Sequence, residues 1–149
     1  MAVLYCLIYL ACIGIMSFLL GRLISRLRFD HTLGIFAVGQ KEKAFYDSIG
    51  IKHWQNKLPD MSRILPRAMP AKSMNNNCRS NIGVMINETC VAGLTHALLC
   101  VFGFGCAFIW QGVGGILASV AYCIGNIPFI MIQRYNRPRL VRVAAAMEA

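Results

Sequence analysis

A chain of 149 residues has room for one domain, and at 57% hydrophobic with only 14% charged residues it carries more apolar surface than a soluble core of that size can bury. The formal net charge of +9 could suggest a nucleic-acid binder. No stacking aromatics are interleaved with the basic residues of a soluble domain, so the charge is read as topology and attraction to anionic headgroups, and nucleic acid is excluded as a partner.

In chain order, the first uncharged stretch covers residues 3–21. At 1.5 Å per residue it is long enough to cross ~30 Å of hydrocarbon as an α-helix. It lacks a basic leader, and Arg22, Arg26 and Arg28 follow it as a stop-transfer flank. A retained anchor is therefore expected, not a cleaved signal. Two further uncharged stretches, 90–110 and 112–132, predict a second and a third span. None of the three alternates apolar with polar residues, so a β-barrel is excluded. The fold class predicted is an all-α integral membrane protein, a single membrane domain of three transmembrane helices.

All 15 Lys and Arg residues fall in two stretches, 22–79 and 134–142. Under the positive-inside rule this predicts a multi-pass protein of the cell membrane, with the N-terminus outside and the C-terminal tail, 133–149, in the cytoplasm. The 22–79 segment is then a cytoplasmic interfacial loop. Within it Phe45, Ile49, Ile51, Trp54 and Leu58 recur at near-helical spacing among Lys43, Lys52 and Lys57, which predicts an amphipathic helix from Ala44 to Leu58, weakened by Gly50. Residues 33–38 are apolar but too short to cross, which suits a shallow or re-entrant segment. Pro59, Pro66, Pro70 and Asn75–Asn77 break the remainder into turns.

The second and third spans are separated only by a Gly-rich joint, Gly112 to Gly115, and are expected to form an antiparallel hairpin. Small pairs at four-residue spacing, Gly93 with Ala97, Gly114 with Ala118 and Ala121 with Gly125, predict close helix packing. Pro128 is expected to loosen the basic end of the third span. The seven cysteines include no C-x-x-C pair and read as small packing residues. Asn87-Glu88-Thr89 matches a glycosylation sequon on what should be the cytoplasmic side, so it is discounted.

Counting depth from the charged boundary of an antiparallel pair places His96 and Asn126 at one level, about 9 Å in. Ser17 of the first span falls at a similar depth. His96 is the only acidic or basic side chain within the spans, and an imidazole titrates near neutrality, which suits a general base. A structural histidine bonded to Asn126 is the even alternative. Glu88 could orient His96, but eight residues along one helix separate them by ~12 Å and ~80°. A salt bridge from Glu88 to Arg134 is the simpler expectation. The tail Gln133-Arg134-Tyr135-Asn136-Arg137-Pro138-Arg139 offers Arg forks for phosphate, or merely a stop-transfer flank. There is no G-x-S-x-G elbow, no phosphate-binding Gly loop and no H-x-x-x-x-D acyltransferase box. Three scattered histidines make no metal cluster, so no metal is expected.

Three blocks resemble the glycosyl-4,4'-diaponeurosporenoate acyltransferases, membrane enzymes of the staphyloxanthin type of carotenoid pathway. The most specific is Asn126-Ile127-Pro128 through Gln133-Arg134-Tyr135-Asn136-Arg137-Pro138-Arg139-Leu140. Glu88-Thr89 with Ala92, Leu94 and His96 is the second, and Lys52, Trp54, Lys57 and Asp60 the weakest. The stretch from Pro59 to Asn77 departs from the family pattern. The resemblance implies esterification of a sugar hydroxyl on a glycosylated membrane lipid by a fatty acyl group.

The expected site then has His96 as base, Asn126 steadying an oxyanion and Glu88 assisting. Arg134, Arg137, Arg139, Lys52 and Lys57 would hold donor phosphate, and Trp54 would anchor at the interface. No bound cofactor is expected; acyl-CoA or an acyl-carrier protein would be the donor, and a membrane glycolipid the acceptor. Two rival readings remain from the residues: a non-enzymatic subunit binding lipid or a partner, and a methyltransferase of isoprenylcysteine type.

Overall fold

The computed structural model describes residues 1–58 and 78–149, which are helical in all their regular segments. Helix α1 runs Ala2–Ile24, α2 Gln40–Ser48 and α3 Ile51–Trp54, the last continued by a 3₁₀ turn at Gln55–Lys57. The long helix α4 covers Cys78–Gly103, the short α5 Cys106–Ile109, and α6 Val113–Glu148. Three stretches are long and apolar enough to span a membrane: Ala2–Ile24, Asn81–Ile109 and Val113–Glu148. On α1, Leu4, Leu7, Ile15, Met16, Leu19 and Leu23 all point away from the bundle, and only Cys6 and Ser17 are buried. So broad an apolar surface suits lipid, where association depends on close packing and internal hydrogen bonds. The chain is an all-α membrane protein.

The hairpin between α4 and α6 is as expected, but its turn is more elaborate than one glycine joint. The second span breaks at Gly103, re-forms as α5, and reverses through Gly112, whose φ of +95° favours glycine. At Gly115 a Cβ would lie 2.0 Å from the Trp110 carbonyl oxygen and 2.6 Å from that of Cys106. Only glycine lets the two arms meet there. The Ala121–Gly125 pair has no such role, since nothing lies within 4 Å of a Cβ at Gly125.

Two expected boundaries shift. The helix of the third span does not end near Ile132. It continues through Pro128 and Pro138 to Glu148, so the expected tail is helical. Its 36 residues amount to about 54 Å, more than the hydrocarbon needs, and the basic end carries on beyond the apolar part. A proline within a helix costs about 3 kcal/mol, and here tertiary contacts on Arg134, Tyr135 and Arg137 offset it. The second shift is in the interfacial segment. The continuous amphipathic helix expected over Ala44–Leu58 is divided at Gly50, which takes φ +64° between α2 and α3. This left-handed kink turns Ile51 inward to join Tyr46 and Tyr135 in a small core, with Val38, Trp54, Met131 and Ile132 around it. Pro59, Pro66, Pro70 and Asn75–Asn77, where turns were expected, lie outside the described residues.

Between α1 and α2 the chain makes no crossing. Asp30 accepts hydrogen bonds from the Thr32 backbone N–H (2.8 Å) and hydroxyl (2.6 Å), and turns at Leu33 bring Phe36 in to be buried. Asn87 of α4 closes the end of α1. Its Nδ2 donates to the carbonyls of Ser25 (3.0 Å) and Leu27 (2.9 Å), and its Oδ1 accepts from the Phe29 N–H at 2.8 Å. Carbonyls at a helix C-terminus lack internal donors, and this one amide satisfies that of the C-cap Ser25 and, just beyond the helix, that of Leu27. The sequon asparagine is thus a structural cap.

Candidate functional site

The depth count is realised in the hairpin. His96 of α4 and Asn126 of α6 meet with Nδ1 and Oδ1 2.9 Å apart. Asn126 is buried, and its Nδ2 lies 2.9 Å from the Tyr122 carbonyl, one turn back on α6. A carbonyl can only accept, so the amide must donate to Tyr122 and turn Oδ1 toward the imidazole. His96 Nδ1 therefore carries the hydrogen, and in the neutral ring the basic lone pair sits on Nε2. Phe129, three residues on from Asn126 and on the same helical face, stacks on the imidazole at 4.8 Å with planes 12° apart. Asn126 and Phe129 together fix the ring's position and tilt. Asn126 is spent on orienting the histidine, which differs from the oxyanion role expected of it.

Glu88 does not join this pair. Its side chain forms no hydrogen bond or ion pair among the described residues, and the expected bridge to Arg134 is not made. Arg134 instead pairs with Glu42 of α2 through Nε and Oε1, with a second bond from Nη2 to Oε2 at 2.8 Å. The same guanidinium donates to the carbonyls of Ile35 (2.6 Å) and Ala37 (2.8 Å). Arg134 holds the Glu42 carboxyl below the usual glutamate range, and the Tyr46 hydroxyl donates to that carboxylate at 2.5 Å. Burial first, then that bond, push the Tyr46 phenol up to about 12.

Arg137 is only 3% exposed. Its Nε donates to Thr89 Oγ1 (3.0 Å), its Nη2 to the Thr89 carbonyl (2.8 Å) and its Nη1 to the Phe36 carbonyl, with the Phe36 ring 5.6 Å from the guanidinium carbon. Arg134 and Arg137 thus grip the three successive carbonyls of Ile35, Phe36 and Ala37. Their forks are turned to the protein and not to phosphate, a correction to the expectation for both. An Arg, with five donors in a plane, can serve several carbonyls at once.

Of the remaining expected donors, Lys52 and Arg139 are brought together. They line a cavity of about 270 Å³ with Lys43, Asp47, Tyr135, Pro138 and Arg142. Lys57 is exposed on the 3₁₀ turn and lines neither this cavity nor its neighbour. Trp54 donates from Nε1 to the Ile49 carbonyl at 3.2 Å and packs beside the Tyr46–Ile51–Tyr135 core, a structural position. Sequence reasoning missed Lys43 and Arg142. Their signal was available in the four-residue steps Lys43–Asp47 on α2 and Pro138–Arg142 on α6, had the last helix been extended past Ile132. Phe129 was legible in the same way, as the i+3 neighbour of Asn126.

Among the described residues no three His, Cys, Asp or Glu side chains gather as a metal site. The chain matches no curated protein and no solved structure. A family model described as glycosyl-4,4'-diaponeurosporenoate acyltransferase matches residues 23–146, which takes in α4, α6 and the gripped segment between α1 and α2. With five-sixths of its length under that match, the chain belongs to the glycosyl-4,4'-diaponeurosporenoate acyltransferase family.

Proposed function

We propose that this protein transfers a fatty acyl group from a thioester donor to a sugar hydroxyl of a glycosylated membrane lipid. The observation that carries the reading is the oriented imidazole of His96, set by Asn126 within the apolar hairpin. His96 Nε2 takes the hydroxyl proton as the sugar oxygen attacks the thioester carbonyl. The tetrahedral adduct then collapses with loss of thiolate, which receives the proton from the imidazolium, leaving an ester and a thiol. Asn126 is a positioning residue: by accepting from Nδ1 it keeps the basic nitrogen at Nε2 and favours the imidazolium as it forms.

The donor is acyl-CoA or an acyl-carrier protein, and the acceptor is a glycolipid of the kind the family description names. The one-sided distribution of Lys and Arg favours a cytoplasmic basic end with the N-terminus outside, which would present that end to a cytosolic donor. Lipids of cells with and without the protein, compared by mass spectrometry, test the reading. A glycolipid heavier by one acyl chain, lost with His96→Ala, is expected. An unchanged lipid profile, or full transfer by His96→Ala in membranes, would overturn it.

A further inference from the structure

Four cations, Lys43 of α2, Lys52 of α3 and Arg139 and Arg142 of α6, surround one hollow of about 270 Å³ with a single carboxylate, Asp47. Among the described residues the only ion pair is Glu42–Arg134, so none of the four has a carboxylate of those residues within 4 Å. Arg139 lies over the Tyr135 ring at 5.2 Å, and Arg142 Nε makes only a long bond of 3.4 Å to the Pro138 carbonyl. Like charges brought together repel one another, and a site of this kind attracts anions.

A second, larger hollow of about 460 Å³ shares Lys43, Pro138 and Arg142 with the first. Its other walls include Phe36, Ala37, Val38 and Val141, together with Arg137. Apolar hollows of a few hundred Å³ with a few placed polar groups are the usual form of a small-ligand site. The apolar hollow and the cationic one thus adjoin at Lys43, Pro138 and Arg142. An anionic head and an apolar chain on one molecule would fill both.

Three of the walls depend on the gripped segment. Arg134 and Arg137 fix the carbonyls of Ile35, Phe36 and Ala37, and this sets the Phe36–Val38 side of the apolar hollow. Glu42, held by Arg134, sets α2, and Lys43 follows directly. Arg134 thus shapes the site from outside it, while Arg137 lines the larger hollow.

We propose that the joined hollows bind a phosphate ester carrying an acyl chain, with Lys43, Lys52, Arg139 and Arg142 taking the phosphate and the Phe36–Val38 side taking the chain. Either the phosphates of an acyl-CoA donor or the headgroup of an anionic phospholipid supplies this chemistry. Arg139 stands about 20 Å further along α6 than Asn126 at 1.5 Å per residue, so a donor phosphate here would reach His96 only through an extended arm. The donor identity rests on the acyl-transfer reading; the phosphate site does not.

The test uses full-length protein in phosphatidylcholine nanodiscs, titrated with a non-hydrolysable thioether of palmitoyl-CoA and, separately, doped with phosphatidylglycerol. Bound ligand is counted by native mass spectrometry. Lys43→Gln with Arg142→Gln is expected to weaken binding at least tenfold with the melting temperature retained, and Lys41→Gln, an exposed neighbour on α2 lining neither hollow, to leave it unchanged. Loss confined to the thioether identifies the donor, and loss confined to phosphatidylglycerol identifies a lipid headgroup; either supports the site. Binding unchanged in the double variant, or weakened equally by Lys41→Gln, overturns it. Lys52→Gln with Arg139→Gln repeats the measurement should the first pair fail to fold. His96→Ala separates the two proposals, since it should abolish transfer while retaining thioether binding.

Discussion

Arg137 donates to both the hydroxyl and the carbonyl of Thr89, so that a single residue pair 48 positions apart rivets α6 to α4. The third arm of the same guanidinium reaches the Phe36 carbonyl. One buried cation therefore fixes three segments, and it does so with neutral acceptors alone.

Arg137→Lys should lower stability by about 2–3 kcal/mol. A single ammonium cannot reach three divergent acceptors, and hydrogen bonds to charged groups are worth about 1.5–3 kcal/mol. Thermal melting in detergent reads this directly. An unchanged melting temperature with a raised KM for donor would mean that Arg137 binds substrate after all.

His96→Ala should reduce acyl transfer by about 10²–10⁴-fold, the usual worth of a general base. Asn126→Leu is more informative. Without an acceptor at Nδ1 the ring is no longer held in one tautomer and tilt, and misplacing a reacting group by about 1 Å costs about 10²-fold in rate. Acyl transfer in membranes at saturating donor would show the loss. Transfer equal to the parent's would remove Asn126 from any role in setting the base.

The docking of α2 should weaken in acid. Glu42 has its carboxyl below the ordinary value near 4.5, first through the hydrogen bond from Arg134. A depressed pKa contributes stability that is full above the unfolded value and lost as the pH falls through the folded one. Melting temperature should therefore drop below about pH 4.5 in the parent, and Glu42→Gln, less stable at neutral pH, should show a smaller drop. Parallel curves for the two proteins would discount the pair.

Gly115→Ala and Gly125→Ala look alike in sequence but should behave oppositely. At Gly115 the new Cβ meets two backbone carbonyls, which cannot swing aside, so the hairpin turn must open. At Gly125 the space is empty, and alanine should stabilise the helix by about 0.5–1 kcal/mol through propensity alone. Melting temperatures of the two variants, measured side by side, decide the matter.

The part of the candidate site that could be read in advance was the part governed by depth. Two antiparallel helices with a tight joint must place residues equidistant from the joint at the same level. His96 and Asn126 met on that ground alone. The arginines were misread because depth says nothing about azimuth. Arg134 and Arg137 are three residues apart, on neighbouring faces of α6, and only the packed loop shows that both turn toward residues 35–37. Glu42 was missed as a partner because it lies 92 positions from Arg134, too far for any local pattern.

The sequence by itself determined that this chain crosses a membrane on three helices, with its charge at one end, because unbroken apolar length and the grouping of Lys and Arg are properties of the chain order. It also determined that the second and third spans run antiparallel. Only the tertiary structure decided which polar groups are occupied in holding the fold. A guanidinium drawn out of water, wholly or in part, must find acceptors wherever the packed chain supplies them, and those supplied to Arg134 and Arg137 come from Glu42, Thr89 and residues 35–37. Once these groups are satisfied, Lys43, Lys52, Arg139 and Arg142 are left around one hollow with no ion pair among the described residues.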